Sequence, residues 1–283
     1  MKEKKKKKER KNAYSSKASM IVYFILRILV ILTAVRAFIR RDYESLALCI
    51  LTLCLFVLPS FLEKKLKVEI PSTMEIIILF FIFAAEILGE IHSFYVIIPH
   101  WDTVLHTLNG FNCAAIGFAL VDLLNRSEQF TFRLSPLFLA IVAFCFSMTV
   151  GVVWEFVEYS CDQIANIDMQ KDTVVDHFAS VTLDETKQNI AVKVSDISDV
   201  IVVHSDGSQQ PLGVGGYLDI GIHDTIKDLF VNLIGAVVFS IIGFFYVRKR
   251  GQGRFASKFI PKVLPKDRNE ENDATDTQTR TGV

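Results

Sequence analysis

The sequence lacks the short motifs by which soluble nucleotide-binding and hydrolytic enzymes are recognised. It contains no G-x-x-x-x-G-K-S/T, no G-x-G-x-x-G and no G-x-S-x-G, so nothing supports nucleotide hydrolysis, dinucleotide redox chemistry or serine-hydrolase chemistry. Its five cysteines form no C-x-x-C pair, so neither a disulfide framework nor a cysteine zinc site is indicated. The formal net charge is +0, yet the basic residues are concentrated at the N-terminus.

Long apolar runs are what the sequence has in abundance. Hydrophobic residues make up 51% of the 283 positions and occur in blocks, which indicates an all-α, polytopic membrane protein. We expect a bundle of about six transmembrane helices, each near the ~20 residues that cross a bilayer. The predicted spans are 20–39, 46–62, 74–91, 103–124, 134–159 and 224–247.

Basic residues indicate the orientation of these spans. Lysines crowd the segment 1–19, and further basic residues follow the second, fourth and sixth spans: Lys64, Lys65 and Lys67; Arg126 and Arg133; Arg248, Lys249, Arg250 and Arg254. Arg40 and Arg41 oppose this bias. The majority predicts a plasma-membrane protein with both termini in the cytoplasm. Beside a membrane helix the lysine run is a topology signal, so the expected partner is the lipid bilayer and not nucleic acid.

Two segments outside the spans differ in character. The segment 160–223 is extracytoplasmic in this topology, and its β-like runs at 190–194 and 200–204, with a turn signal at 205–208, predict a small β-hairpin insertion. A disordered loop is the alternative. The segment 248–283 ends in a polar tail that predicts a disordered cytoplasmic C-terminus.

Ionisable residues recur near the extracytoplasmic ends of four predicted spans. Helical spacing places Asp102 and His106 on one stripe of the fourth span, and Asp224 and Asp228 on one stripe of the sixth. The other two pairs are Glu86 and Glu90 on the third span, and Glu155 and Glu158 on the fifth. Because charged groups within a membrane are costly, we expect these residues to converge in one pocket. The residues most strongly indicated as catalytic are Asp102, His106, Glu155, Glu158, Asp224 and Asp228.

So many carboxylates need compensation by shared protons, cationic partners or a divalent metal ion. The candidate metal ligands are His100, His106, Asp224 and Asp228. Mixed carboxylate and imidazole ligands suit zinc, whereas a mostly oxygen site suits magnesium, manganese or calcium. No H-E-x-x-H motif is present, so the choice of metal stays open at this point.

Other polar and small residues in the spans are better explained by helix packing. Asn109 and Asn232 are expected to hydrogen-bond between helices, and Gly235 to permit close approach. Glu90, Asp162 and Asp219, at the predicted membrane interface, are expected to be solvated surface residues.

Three segments together resemble a known family: HWDTVLHTLNG, VGVVWEFVEYSCDQ and GYLDIGIHDTIKDLFVNLIGA. Their order resembles the YjdF-like family of bacterial integral membrane proteins, from about the third span to the sixth. The D-x3-H, E…Q and D-x3-D-x3-N-x2-G elements are also similar to VanZ-like proteins, a family associated with glycopeptide resistance. The resemblance implies functional roles for Asp102, His106, Glu155, Gln163, Asp224, Asp228 and Asn232. It implies no reaction, because the YjdF-like family has no established activity.

The leading functional hypothesis is an outward-facing acid/histidine pocket that binds or processes a polar lipid headgroup or an envelope precursor. In an enzyme, Glu155 or Glu158 would act as general base beside His106, with Asp224 and Asp228 orienting a cation. The alternatives are a proton- or cation-coupled transporter, which six spans would allow as a homodimer, and a membrane scaffold protein. The sequence leaves open whether the protein is an enzyme.

Overall fold

The computed structural model describes residues 17–66, 68–125, 134–249, 258–259 and 262–263. The helices are α1 (Lys17–Arg40), α2 (Tyr43–Leu55), α3 (Leu58–Leu66), α4 (Ser72–Phe83) with a π-helical continuation (Ala84–Ile91), α5 (Phe94–Ile97), α6 (Trp101–Asn125), α7 (Pro136–Ala165) and α8 (Ile222–Arg248). The strands are β1 (Val68–Glu69), β2 (Val174–Val175), β3 (Phe178–Ser180), β4 (Val192–Val194), β5 (Ile201–Val203), β6 (Gln209–Pro211), β7 (Tyr217–Leu218) and β8 (Lys262–Val263).

Five helical segments in the described part of the chain are long and apolar enough to cross a membrane: Lys17–Arg40, Tyr43–Lys65, Trp101–Asp122, Pro136–Ala165 and Ile222–Arg248. The second of these comprises α2 and most of α3, with a turn at residues 56–57. The predicted third span, 74–91, corresponds to α4 and its π-helical continuation, which follow each other without a break. The predicted all-α polytopic class is confirmed.

Helices α6, α7 and α8 form a close-packed core because each has a stripe of small residues on its inner face. On α7 the buried positions recur every fourth residue, at Ala143, Ser147, Gly151 and Glu155. A methyl group at Gly110 of α6 would overlap the backbone carbonyl of residue 232, and one at Gly235 of α8 would overlap that of residue 107. Because neither glycine has a side chain, α6 and α8 can approach closely at these two positions, which fixes their register.

Helices α1, α2 and α4 pack together beside this core through a second apolar cluster. Leu26 and Val30 of α1, Cys49 of α2 and Leu79 of α4 are buried in this cluster. The opposite face of α1 is apolar and exposed, as at Phe24 and Ile28, which is typical of a lipid-facing surface. The site described below is built mainly by α6, α7 and α8.

The segment between α7 and α8 contains small antiparallel strand pairs, as the β-hairpin prediction requires. Strand β3 pairs with β4, β5 pairs with β6, and β2 pairs with β7. The predicted turn at 205–208 joins β5 to β6, and its glycine, Gly207, has φ +83°, a conformation that favours glycine. The pairing of β2 with β7 closes the base of the insertion.

Four residues of the predicted disordered tail have defined positions. The ring of Phe259 is buried 5.2 Å from that of Phe111 on α6, and Lys262 and Val263 pair with β1. An aromatic side chain that packs into the bundle core explains this departure from the prediction. The basic segment 1–16, the loop 126–133 and the rest of the tail lie outside the described residues.

Candidate functional site

An acid–histidine cluster, which comprises Asp102, His106, Glu155 and Asp228, lies where α6 begins, α7 ends and α8 begins. His106, Glu155 and Asp228 are buried, and Asp102 is partly exposed. Each residue extends the small-residue stripe of its own helix by about one or two turns, so the packing that brings the helices together also brings these side chains to one level. The side chains expected from α6, α7 and α8 therefore lie together. The fourth expected pair, Glu86 and Glu90, does not belong to this cluster, and Glu90 is exposed.

His106 is at the centre of this cluster. Its Nε2 lies 3.3 Å from Asp102 Oδ1 and 3.9 Å from Asp228 Oδ2. On the other side of the ring, Nδ1 lies 3.9 Å from Glu155 Oε1. One imidazole thus faces carboxylates from three helices, and only the contact with Asp102 approaches hydrogen-bonding distance.

Several carboxylate oxygens of the cluster have no hydrogen-bond donor among the described residues. They are Asp102 Oδ2, both oxygens of Glu155, and Asp228 Oδ1. Glu155 is 4% exposed and Asp228 is 1% exposed, so solvent does not compensate for the missing donors. Buried carboxylates are normally paired or bound to a metal, and these oxygens are therefore available to a ligand.

One ligand atom each from Asp102, His106 and Asp228 lie within 4.8 Å of one another. This set combines an imidazole nitrogen with carboxylate oxygens, a combination typical of zinc and manganese sites. His106 and Asp228 were among the predicted metal ligands. Of the other two, Asp224 lies at the edge of the cluster, and His100 is exposed in the turn before α6 and does not belong to the set.

Lys227 supplies a positive charge that sequence reasoning missed. Its Nζ lies 2.8 Å from Asp224 Oδ1, 3.6 Å from Asp102 Oδ2 and 3.6 Å from Asp228 Oδ1. The signal was present in the sequence, because a lysine three residues after Asp224 is on the same helical face. A pattern of convergent acids and histidines alone does not reveal a lysine among them.

Glu158 and Trp154 line the cluster on α7. Glu158 is buried, and its Oε1 accepts a hydrogen bond of 2.7 Å from Trp154 Nε1. Glu158 is therefore held in place by a donor, whereas Glu155, one turn earlier, is not. Gln163, which the family resemblance implied, is exposed near the end of α7 and apart from the cluster.

The start of the insertion covers the N-terminus of α8. Asp224 Oδ2 accepts a hydrogen bond of 3.0 Å from the Lys171 backbone N–H, and the Gln170 side chain donates to the Thr225 hydroxyl. Asp162 holds this stretch through the backbone N–H groups of residues 169 and 170, at 2.6 and 2.9 Å. The carboxylate of Asp224 thus connects Lys227 with the insertion.

Asp219 fixes the other end of the insertion. Its side chain is buried and accepts hydrogen bonds from the backbone N–H groups of Thr173 and His223, at 2.7 and 2.8 Å. Burial alone raises the pKa of this carboxyl, but the backbone donors outweigh it and the pKa is lowered. The expectation of a solvated surface residue was wrong for Asp219, which is buried and binds the Thr173 backbone N–H, remote in sequence; Asp162 is half-buried.

A polar layer lies directly beneath the cluster. Asn109 Nδ2 donates to Asn232 Oδ1 at 3.3 Å, and Ser147 Oγ donates to the Gly110 carbonyl at 2.7 Å. Asn232 and Ser147 are buried. The residues proposed as structural, Asn109, Asn232 and Gly235, lie in or next to this layer, which links α6, α7 and α8 below the site.

The turn between the π-helical segment and α6 forms a further wall. Trp101 Nε1 donates to the Ala84 carbonyl at 3.3 Å, and the Tyr95 ring packs over Gly89. Burial raises the pKa of the Tyr95 phenol, and the Asp102 and Glu90 carboxylates raise it further. The phenol therefore stays protonated beside the acidic groups and retains its hydrogen-bond donor.

Comparison with known proteins identifies a family for this chain but indicates no reaction. A family model described as "Predicted membrane protein (DUF2238)" matches residues 21–249. An uncharacterised protein of Thermotoga maritima is 28% identical over 122 residues, which are 42% of this chain and 61% of that protein. No solved structure matches significantly. The matched region includes every residue of the site and confirms the YjdF-like resemblance; the chain belongs to the DUF2238 family of predicted membrane proteins.

Proposed function

We propose that Asp102, His106 and Asp228 bind a divalent cation on the extracytoplasmic side of the membrane, and that the resulting centre binds or processes a polar headgroup or an envelope precursor. One observation carries the proposal: the ligand atoms lie within 4.8 Å of one another beside a Glu155 carboxylate that is 4% exposed and has no donor in the described chain. A divalent cation would satisfy the ligand geometry and add positive charge beside Glu155.

The charge balance supports this proposal. Counting Asp224, the site has four carboxylates within reach of two cationic side chains, His106 and Lys227. Buried charges without compensation cost several kcal/mol each. His106 must be neutral to bind a metal, so a divalent cation would reduce the excess negative charge without removing it. Three of its ligands are already close enough to need only small side-chain movements.

The distribution of basic residues supports an outward orientation. Lys64 and Lys65 end α3, and Arg248 and Lys249 end α8. In α8 these residues are at the opposite end from Asp224 and Asp228. Because basic residues are retained on the cytoplasmic side, the cluster is assigned to the extracytoplasmic side.

Glu155 is the better general base of the two glutamates considered. It faces His106 Nδ1 at 3.9 Å and has no donor, whereas Glu158 is engaged by Trp154. A metal ion at Asp102, His106 and Asp228 would polarise a carbonyl or phosphoryl oxygen or activate a water molecule. Glu155 would then accept the proton from the attacking group.

Packing below the site favours a binding or catalytic centre over a carrier. A carrier must open the cytoplasmic half of the bundle to the same site, but Phe118, Phe239 and Phe259 are buried there. A scaffold that offers its acids to another protein is disfavoured, because Asp228 and Glu155 are almost inaccessible.

Binding of Mn²⁺ to the purified full-length protein in detergent micelles tests the proposal. Electron paramagnetic resonance of free Mn²⁺ measures the bound fraction, and Zn²⁺ is tested by competition. We expect one saturable site in the wild type and at least about tenfold weaker binding in Asp228→Asn and Glu155→Gln, since each removes a charge from the site. Asp206→Asn, in the exposed β5–β6 turn, is the matched control. Absence of saturable binding in the wild type would overturn the proposal.

A further inference from the structure

The ammonium group of Lys227 shares its carboxylates with the candidate metal ligands. Two of its three partners, Asp102 and Asp228, belong to the set within 4.8 Å that includes His106. The oxygens that Lys227 approaches, Asp102 Oδ2 and Asp228 Oδ1, are also two of those without a hydrogen-bond donor. A divalent cation and the ammonium group therefore compete for the same negative charge.

Lys227 is held unequally by its three partners. The 2.8 Å contact with Asp224 is a hydrogen bond, whereas the 3.6 Å contacts with Asp102 and Asp228 are ion pairs only. Since Asp224 is on the same helix at the i−3 position, the ammonium group can leave the other two carboxylates and keep its strongest partner. Withdrawal from the cluster thus breaks no hydrogen bond.

The surroundings of Lys227 allow this movement. Its side chain is 46% exposed, while that of Asp228 is 2% exposed. The lysine stem is long and flexible, and its ammonium group is well hydrated in water. Lys227 has solvent to move into, whereas the carboxylates that it leaves are fixed in the core.

We propose that Lys227 is an internal competitor that sets the affinity and the charge selectivity of the cation site. This inference rests on the proposed divalent-cation site. The ammonium group neutralises Asp102 and Asp228 until a cation of higher charge displaces it towards Asp224 and solvent. A monovalent ion is attracted to these carboxylates no more strongly than the ammonium group is, so it does not displace Lys227. Na⁺ and K⁺ are therefore excluded from the cation site.

The displacement also reaches the insertion between α7 and α8. Asp224 accepts from Lys227 through Oδ1 and from the Lys171 backbone N–H through Oδ2. When Lys227 transfers fully to Asp224, the same carboxylate continues to hold the stretch around Lys171. The Lys171 amide is therefore bound to the carboxylate that receives the displaced ammonium group.

The experiment compares Mn²⁺ binding by Lys227→Gln, Lys227→Arg and the wild type, as full-length proteins in detergent micelles. We expect Lys227→Gln to bind Mn²⁺ about tenfold more tightly, because the competing charge is gone. We also expect NaCl to weaken binding more in Lys227→Gln than in the wild type, since monovalent ions then enter the cluster. Lys227→Arg keeps the charge and restores the exclusion of Na⁺. Lys193→Gln, at an exposed lysine of β4, is the control and leaves both measurements unchanged.

The outcomes separate this inference from the proposed function. Wild-type protein that binds Mn²⁺ while Lys227→Gln binds it equally or more weakly overturns the competitor role and leaves the metal site standing. Failure of both proteins to bind overturns both. Should Lys227→Gln lose stability without Mn²⁺, the circular dichroism spectrum with Mn²⁺ shows whether the cation restores the fold. Restoration supports the proposal, and a protein that stays unfolded at saturating Mn²⁺ counts against it.

Discussion

Replacing Asp228 by Asn is expected to stabilise the cation-free protein while abolishing its stabilisation by divalent cations. The change keeps the size of the side chain and removes one charge from a group in which three carboxylates surround the His106 ring. Asp228 is 1% exposed, and its Oδ1 has no donor in the described chain. An uncompensated buried charge costs several kcal/mol, and His106 and Lys227 offset much of it, so we expect a gain of about 1–2 kcal/mol in the free energy of unfolding.

Divalent cations are expected to make the wild type more stable than Asp228→Asn, the reverse of the order without cations. A ligand that binds only the folded state raises the free energy of unfolding by about 2.7 kcal/mol at a concentration 100 times its Kd. The wild type gains this stabilisation from Mn²⁺, whereas Asp228→Asn, which has lost a ligand oxygen, gains little. At roughly 2–3 °C per kcal/mol for a chain of this length, the variant melts a few degrees higher in EDTA and the wild type a few degrees higher in Mn²⁺.

Thermal unfolding in detergent micelles, followed by tryptophan fluorescence, is a suitable assay. Trp101 and Trp154 both flank the cluster, so the signal reports on the site as well as on the bundle. Asp206→Asn is again the control and melts like the wild type under both conditions. The reasoning is refuted if Asp228→Asn melts below the wild type in EDTA, or if Mn²⁺ raises the melting temperature of both proteins equally.

Three further changes test the elements that position the site. Gly235→Ala places a methyl group against the backbone carbonyl of residue 107. We therefore expect a loss of about 1–3 kcal/mol in the free energy of unfolding and weaker Mn²⁺ binding. The control Ile234→Ala, at a lipid-facing position, leaves both the free energy of unfolding and Mn²⁺ binding unchanged. Asp219→Asn should speed hydrogen exchange at the Thr173 amide at neutral pH, because the free energy that protects this amide falls by about 1–3 kcal/mol. Because the pKa of Asp219 is lowered in the folded state, the wild-type contribution is present above about pH 4 and disappears as the pH falls through that lowered pKa, so the two proteins converge in acid. Phe259→Ala should lower the free energy of unfolding by roughly 3–5 kcal/mol, measured by chemical denaturation in micelles. Lys258→Ala, which changes an exposed neighbour, is the control. An equal effect of the two changes would contradict the packing of Phe259.

Hydropathy and helical period were sufficient to predict the bundle and most of the cluster. Runs of apolar residues fix where helices cross a bilayer, and the i, i+4 spacing puts Asp102 with His106 and Asp224 with Asp228 whatever the tertiary structure. The convergence of these ionisable side chains followed from the free-energy cost of exposing a charged group to lipid. These arguments need only local geometry.

Features that depend on how two segments meet were not predictable in the same way. The inward orientation of Lys227 depends on the register of α6 against α8, which Gly110 and Gly235 set through contacts with the opposite backbone. The burial of Asp219 depends on β2 pairing with β7, which brings Thr173 to it. The packing of Phe259 depends on an aromatic space beside Phe111 that no helical period reveals.

The order of layers along α6 and α8 explains how one bundle can hold a charged site in a membrane. Starting from the charged end, the helices present the acid–histidine cluster, then the amide pair Asn109 and Asn232, and then buried aromatic rings such as Phe118 and Phe239. The amides separate charge from hydrocarbon, because they hydrogen-bond to one another and, through Asn232, to the Ser147 backbone carbonyl on α7. The cost of the charges is thereby confined to one end of the bundle. At that end Lys227 is more exposed than the buried Asp228, which is the arrangement that the proposed charge-selective binding requires.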